Sequence, residues 1–164
     1  VIIAFSGWRG WTDVAFIQRQ IDREWSRHAT FGPLAEPMHF RVGDAAGADE
    51  VIREYLGPTS EVASLSVYAA DWDRHGAKAG PIRNRDMLCG HGPGDPMYGH
   101  QADLLVAFPQ PGRSKPAKNS GTWNAICQAH WRGIEVRIPG YRADIVPSGS
   151  DSDDAQLELW AVPS

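Results

Sequence analysis

The sequence predicts a doubly wound α/β domain, a mainly parallel sheet of five or more strands with helices on both faces. Three observations predict it. Short apolar runs rich in β-branched residues recur along the 164-residue chain. Between them lie stretches whose apolar residues return every three or four positions, the spacing of one helical face. The connections are short, so successive strands must pair in parallel through right-handed crossovers. At this length the chain suits one ordinary domain with a real core and is too short for two. A composition of 42% hydrophobic and 22% charged residues is that of a globular protein.

Each element follows in order. "VIIAFS" is a strand buried on both faces that stops at Gly7. Thr12 or Asp13 can cap the next helix, whose apolar positions are Val14, Ile17, Ile21 and Trp25. "MHFRV" is the second strand; it runs into "GDAAGAD" and a helix through Val51, Ile52, Tyr55 and Leu56, closed by Gly57-Pro58. "SLSVYAA" is the third strand. "DRHGAKAGPIRNRDM", residues 73–87, follows as a basic loop, with Pro81 in the first turn of a short helix to about Cys89. "DLLVAF" is the fourth strand, and "SGTWNAICQAHWRG" is a helix with Ser120 as its cap and Gly133 as its stop. "IEVRIP" is the fifth strand.

Two segments stand outside this alternation. "GHGPGDPMYGH", residues 90–100, is a Gly/Pro-rich loop on the edge away from the ligand crevice. Its His91, Asp95 and His100, with Cys89, could offer zinc ligands, but the spacing matches no metal pattern and an ordinary surface loop is the favoured reading. "VPSGSDSDD", residues 146–154, reads as an acidic linker, and "LELWAV" after it as an edge strand or docking tail. Residues 1–145 are therefore expected to form the domain, and 146–164 the linker and tail.

Charge is distributed unevenly. The net charge is -4 with a pI near 5.8, which argues against broad affinity for nucleic acid or anionic membranes. No apolar run is long enough to span a bilayer, so no membrane partner is expected. Cys89 and Cys127 show neither CxxC nor disulfide spacing, which points to a reducing, cytoplasmic setting. Yet the segments after strands one, three and four carry Arg9, Arg74, Lys78, Arg83, Arg85, Arg113, Lys115 and Lys118 against only Asp13, Asp71 and Asp73. These segments meet at the carboxyl edge of a doubly wound sheet, where ligands bind. Cations beside helix N-termini suit a phosphate.

Trp8, Trp11, Trp72 and Trp123 lie in or beside the same loops. A flat aromatic wall beside cations suits a nucleotide, with Trp8 or Trp72 facing the base and Trp11 and Trp123 packing helix starts. Asp44 and Asp49 could accept hydrogen bonds from ribose hydroxyls; alternatively, Asp49 complements the N-terminus of the second helix. "GDAAGAD" is not the GxGxxG dinucleotide fingerprint, and the sequence contains no GxxxxGK[ST], HExxH or GxSxG. Classical NAD binding, P-loop NTPase, zinc-protease and hydrolase-elbow chemistry are thereby set aside, and no metal or cofactor is expected.

Four motifs taken together, "GWRGWTD" (7–13), "GDAAGAD" (43–49), "HGAKAGPIRNRDM" (75–87) and "DLLVAFP" with "SGTWNAI", resemble the YspA/YpsA-related branch of the SLOG superfamily. Its relatives include DprA/Smf and the LOG phosphoribohydrolases. The resemblance spans about residues 1–139 and implies a Rossmann-like domain that binds nucleotides or nucleotide-derived molecules such as ADP-ribose. With the residue readings above it gives an expected ligand-binding set of Gly7, Trp8, Arg9, Gly43, Asp44, Gly47, Asp49, Trp72, Lys78, Gly80, Arg83, Asn84, Ser120, Gly121 and Thr122. LOG enzymes pair an arginine of RKxxM with a glutamate of PGGxGTxxE. Arg83 and Met87 match the first, but Ala125 stands where the glutamate would be. Asp44 and Ala46 also replace a glycine and an arginine of the branch's usual GGARGAD.

The expectation is thus a binding or sensing protein for a nucleotide-like small molecule, self-associating as the resemblance implies. Nucleoside-monophosphate N-glycosidase or base-ribose transferase activity is the alternative. Its catalytic candidates are Arg83, Asp44 and Asp73, with Asp71 a further substitute acid. A DprA-like DNA-handling module ranks third, because the chain is acidic.

Overall fold

Alternate residues of the central strands face two different apolar layers, and this alternation dictates the architecture. The computed structural model describes residues 1–29, 37–57, 63–112 and 120–140. Strands β1 (Ile2–Gly7), β2 (Met38–Gly43), β3 (Ala63–Tyr68), β4 (Leu104–Phe108) and β5 (Glu135–Arg137) form one sheet in the order β3-β2-β1-β4-β5. Every pairing is parallel. On one face Ile3, Phe5, Phe40, Val42 and Val106 meet Ile17 and Ile21 of helix α1 (Val14–His28) and Ile52 of α2 (Ala48–Leu56). On the other, Ile2, Ala4, Leu105 and Ala107 meet Met87 and Leu88 of α4 (Ala79–Cys89) and Trp123 and Ile126 of α5 (Gly121–Trp131). Burying each of these large side chains contributes about 1.5–3 kcal/mol, so both layers are needed. The domain is a doubly wound α/β fold.

Local signals set the helix ends. Asp13 caps α1 by accepting the Phe16 amide at 2.9 Å, and Ser120 caps α5 through the Trp123 amide at 3.3 Å. Gly57 closes α2, and Gly133, at φ 69°, follows α5 in the left-handed region that glycine tolerates. Val14, expected on the buried face of α1, is instead 44% exposed because it sits at the rim of the first turn.

Two expectations need correction. The stretch read as a loop before Pro81 is mostly helical: α3 (Trp72–His75) and a 3-10 turn (Gly76–Lys78) run directly into α4. Asp71 starts this run by accepting the Arg74 amide at 3.0 Å, and because α4 begins at Ala79, Arg83 lies on its second turn.

The loop at 90–100 is no ordinary surface loop either. It tucks Asp95 against the sheet, where the Arg41 Nε donates to Asp95 at 2.8 Å and the Tyr68 hydroxyl at 2.5 Å. His39 Nε2 lies 3.2 Å from the same carboxylate. His39, Arg41 and Tyr68 share one sheet face, and Asp95 supplies the charge that lets Arg41 be buried there. Among the described residues no group of three or more His, Cys, Asp or Glu could hold a metal ion. Also among them, no helix is long and apolar enough to cross a membrane. The expected linker at 146–154, the "LELWAV" segment, Pro58, Arg113, Lys115 and Lys118 lie outside the described residues.

Candidate functional site

β1 pairs with β2 on one side and β4 on the other, and the crossover from β3 to β4 reverses the winding beside β1. The loops leaving β1 and β4 therefore diverge, opening a crevice at the carboxyl edge. Small residues let the neighbouring loops approach it closely. A Cβ on Gly7 would overlap that of Ala48, and one on Gly47, at φ 73°, would meet the backbone carbonyls of Trp8 and Arg9. The "GDAAGAD" turn is thus pressed onto the β1 exit, with the Ala48 amide donating to Trp8 O at 3.3 Å.

Arg83 is the centre of the charged part. Its guanidinium crosses Gly43 so closely that any Cβ there would collide with it, which accounts for glycine at the end of β2. Nη1 lies 3.4 Å from Asp44 Oδ1 and 3.4 Å from Asp49 Oδ2, while Nε is buried without a hydrogen-bond partner. The expected free phosphate clamp is therefore already engaged by two acids. Arg85, by contrast, pairs with Asp86 at 2.9 Å on the outer face.

The two acids differ. Asp49 is 1% exposed and accepts the Gly7 amide at 3.0 Å, tying α2 to the end of β1. Burial pushes its carboxyl above the usual range, with Arg83 and the Gly7 amide opposing. It is a structural strap whose oxygens are already engaged, and it lies in the first turn of α2, where the helix-N-terminus reading placed it. Asp44 has a side chain 36% exposed, fixed by Arg83 and by the Ala70 amide, which donates to Oδ2 at 3.2 Å. It is held firmly yet open to the edge.

The remaining predicted residues divide in the same way. Asn84 is 1% exposed and donates to Gly121 O at 2.9 Å and Asn124 Oδ1 at 3.0 Å, so it locks α4 to α5 rather than facing a ligand. Thr122 is buried and Ser120 is a cap. Gly121 is exposed, and the amides of Gly121 and Thr122 have no partner among the described residues, leaving the α5 N-terminus with free donors. Arg9 lies over the Trp72 ring at 5.7 Å, joining the segments that follow β1 and β3. Trp72 is 48% exposed and passes Gly80 at ordinary contact distance, so Gly80 is not required there by sterics. Lys78, Asp73 and Asp71 are exposed, with Asp71 occupied as the α3 cap. Ala125, which the resemblance sets at the place of a glutamate, is fully buried in the core layer against the sheet.

Sequence reasoning missed an aromatic cleft on the other side of the β1 exit. Trp8, Trp11 and Phe16 line it together with Pro111 after β4 and Pro139 after β5. The signal available was the clustering of Trp8, Trp11 and Phe16 within one turn-to-helix segment, in which Trp8 was expected to face a base and Trp11 to pack a helix start, while Phe16 drew no reading.

The fold and edge define a class: a doubly wound α/β domain with a polar, partly charged crevice at the switch point of its sheet. No protein-family model, curated protein or solved structure matches the chain.

Proposed function

We propose that the chain binds a ribose-bearing, nucleotide-derived ligand at this edge. The observation that carries the reading is Asp44, a carboxylate fixed by Arg83 and the Ala70 amide yet open to the crevice. Such a group accepts paired hydrogen bonds from vicinal sugar hydroxyls. Arg83 then acts as a positioning residue. The amides of Gly121 and Thr122, unpartnered among the described residues, and the exposed cations Arg9 and Lys78 supply the attraction for phosphate. Calorimetric titration with ADP-ribose and AMP tests this. Asp44→Asn is expected to weaken binding by about tenfold or more, and retention within about threefold would sink the assignment.

The same carboxylate supports a second reading, N-glycosidic cleavage, since a fixed anion beside the sugar stabilises a cationic transition state. Chromatography of AMP incubated with stoichiometric protein distinguishes the two. Released adenine that disappears in Asp44→Asn favours the enzyme, and an unchanged nucleotide favours binding alone.

A further inference from the structure

The charged part of the edge leaves the aromatic cleft unused. The cleft is open, with a volume of ≈ 430 Å³, the size of sites that take a nucleobase or nucleoside. Its walls are held in place. Trp11 packs on Phe16 at 5.7 Å and on Phe108 at 5.9 Å between ring centroids, and its Nε1 donates to Asp13 O at 3.1 Å. Trp8 lies across Gly10, where a Cβ would come within 2.5 Å of the indole, so only glycine lets the ring fold down. Pro111 and Pro139 stiffen the opposite rim.

The lining chemistry is selective. Among the described residues its lining is aromatic and aliphatic apart from Thr12 and Asp13, with no Lys, Arg or His. Two indoles and a phenyl ring offer π surface to a flat ring. Its charged lining residue is Asp13, whose Oδ1 accepts the Phe16 amide and whose Oδ2 has no partner among the described residues. A free carboxylate oxygen at an aromatic rim accepts from an exocyclic amine or ring N–H.

We propose that this cleft binds a planar, uncharged nitrogen heterocycle bearing an amino group. Placing that ring and the Asp44-bound sugar in one molecule rests on the function proposed above. Trp8 is the joint between the two compartments: its ring lines the cleft and its carbonyl receives the Ala48 amide of the neighbouring turn.

The test is heteronuclear NMR of the tryptophan indole N–H signals of the full chain, titrated separately with adenine and ribose 5-phosphate. Adenine is expected to shift the Trp8 and Trp11 signals saturably at millimolar concentration. Thr12→Phe, an exposed rim residue whose replacement fills the cleft without touching the core, is expected to weaken adenine by about tenfold. Trp8→Ala provides a second variant with the same expected direction. Adenine that leaves both signals unmoved, or binds Thr12→Phe as tightly as wild type, overturns the proposal. Signals that respond to protein dilution instead of adenine also overturn it, by making the cleft a face between copies. Adenine bound in the cleft with ribose 5-phosphate bound nowhere would sink the proposed sugar site while upholding this one. The reverse pattern would do the opposite.

Discussion

Two arginines of this domain are almost equally hidden, yet they are held in different ways. Arg41 is 0% exposed and Arg83 9%. Every guanidinium nitrogen of Arg41 donates: Nε to Asp95, Nη1 to the carbonyls of Met87 and His100, and Nη2 to that of Met97, at 2.8–3.3 Å. Arg83 makes only long contacts of 3.4 Å from Nη1, and its Nε is unpartnered. Burial alone does not distinguish the two arginines; how fully their nitrogens are engaged does. Arg41 fastens the 90–100 loop under the sheet, whereas Arg83 steadies a carboxylate that faces outward.

Removing the acid from the Arg41 cluster gives the largest expected effect. Asp95→Ala strands Arg41 in the interior without its counter-charge, and stability should fall by about 3–5 kcal/mol. Urea denaturation measures it, and a loss below about 1 kcal/mol would show that the cluster is not closed as described. Tyr68→Phe removes one donor to the same carboxylate and is expected to cost about 1.5–2 kcal/mol. Burial, then the Asp95 contact, raises the Tyr68 phenol well above its usual range, so the hydroxyl stays a donor throughout the working pH range.

Arg83→Met sharpens the contrast from the other side. Asp49 would lose its cation, but burial already favours its protonated form and the Gly7 amide still holds it. A neutralised carboxyl costs far less than a stranded guanidinium, so the expected stability change is about 1 kcal/mol. Affinity for ADP-ribose should nonetheless fall, because Asp44 loses one of its two fixed donors. Equal destabilisation by Arg83→Met and Asp95→Ala would erase the distinction between the two arginines.

The sheet was legible because β1 and β4 are nearly continuous apolar runs and helices α1 and α5 carry side-chain caps; Asp13, Ser120, Gly57 and Gly133 all stand where expected. The edge was legible only in part. Topology brought Arg9 to Trp72 and placed Arg83 beside the "GDAAGAD" turn, as the strand order requires. What a linear pattern could not reveal was partner choice. Asp44 and Asp49 lie five residues apart in one motif, yet one faces the crevice and the other is sealed inside by Gly7. Asp95 was hidden for the same reason, since its partners Arg41 and Tyr68 come from strands 54 and 27 positions away.

The smallest expected effect concerns protonation of the closed cluster. Burial lowers the pKa of His39 from its usual 6.5; Asp95 pulls the other way and Arg41 adds to the lowering. Between the lowered value and 6.5 the unfolded chain binds more protons than the native one, so stability rises with pH through that window. The contribution is fully present above the unfolded value and is lost as pH falls. Asp49 acts in the opposite sense. Its raised carboxyl keeps a proton above 3.8 that the unfolded chain releases, so its contribution is present at low pH and lost as pH rises. Comparing wild type with His39→Gln removes the Asp49 effect, which both proteins share. Relative to the variant, wild type should lose stability as pH falls from about 7 to about 5, by less than roughly 1.4 kcal/mol per pH unit, the limit for one proton. A difference that stays flat across that range would mean that the Asp95 carboxylate, rather than burial, governs His39, and that the Arg41 cluster admits a second positive charge.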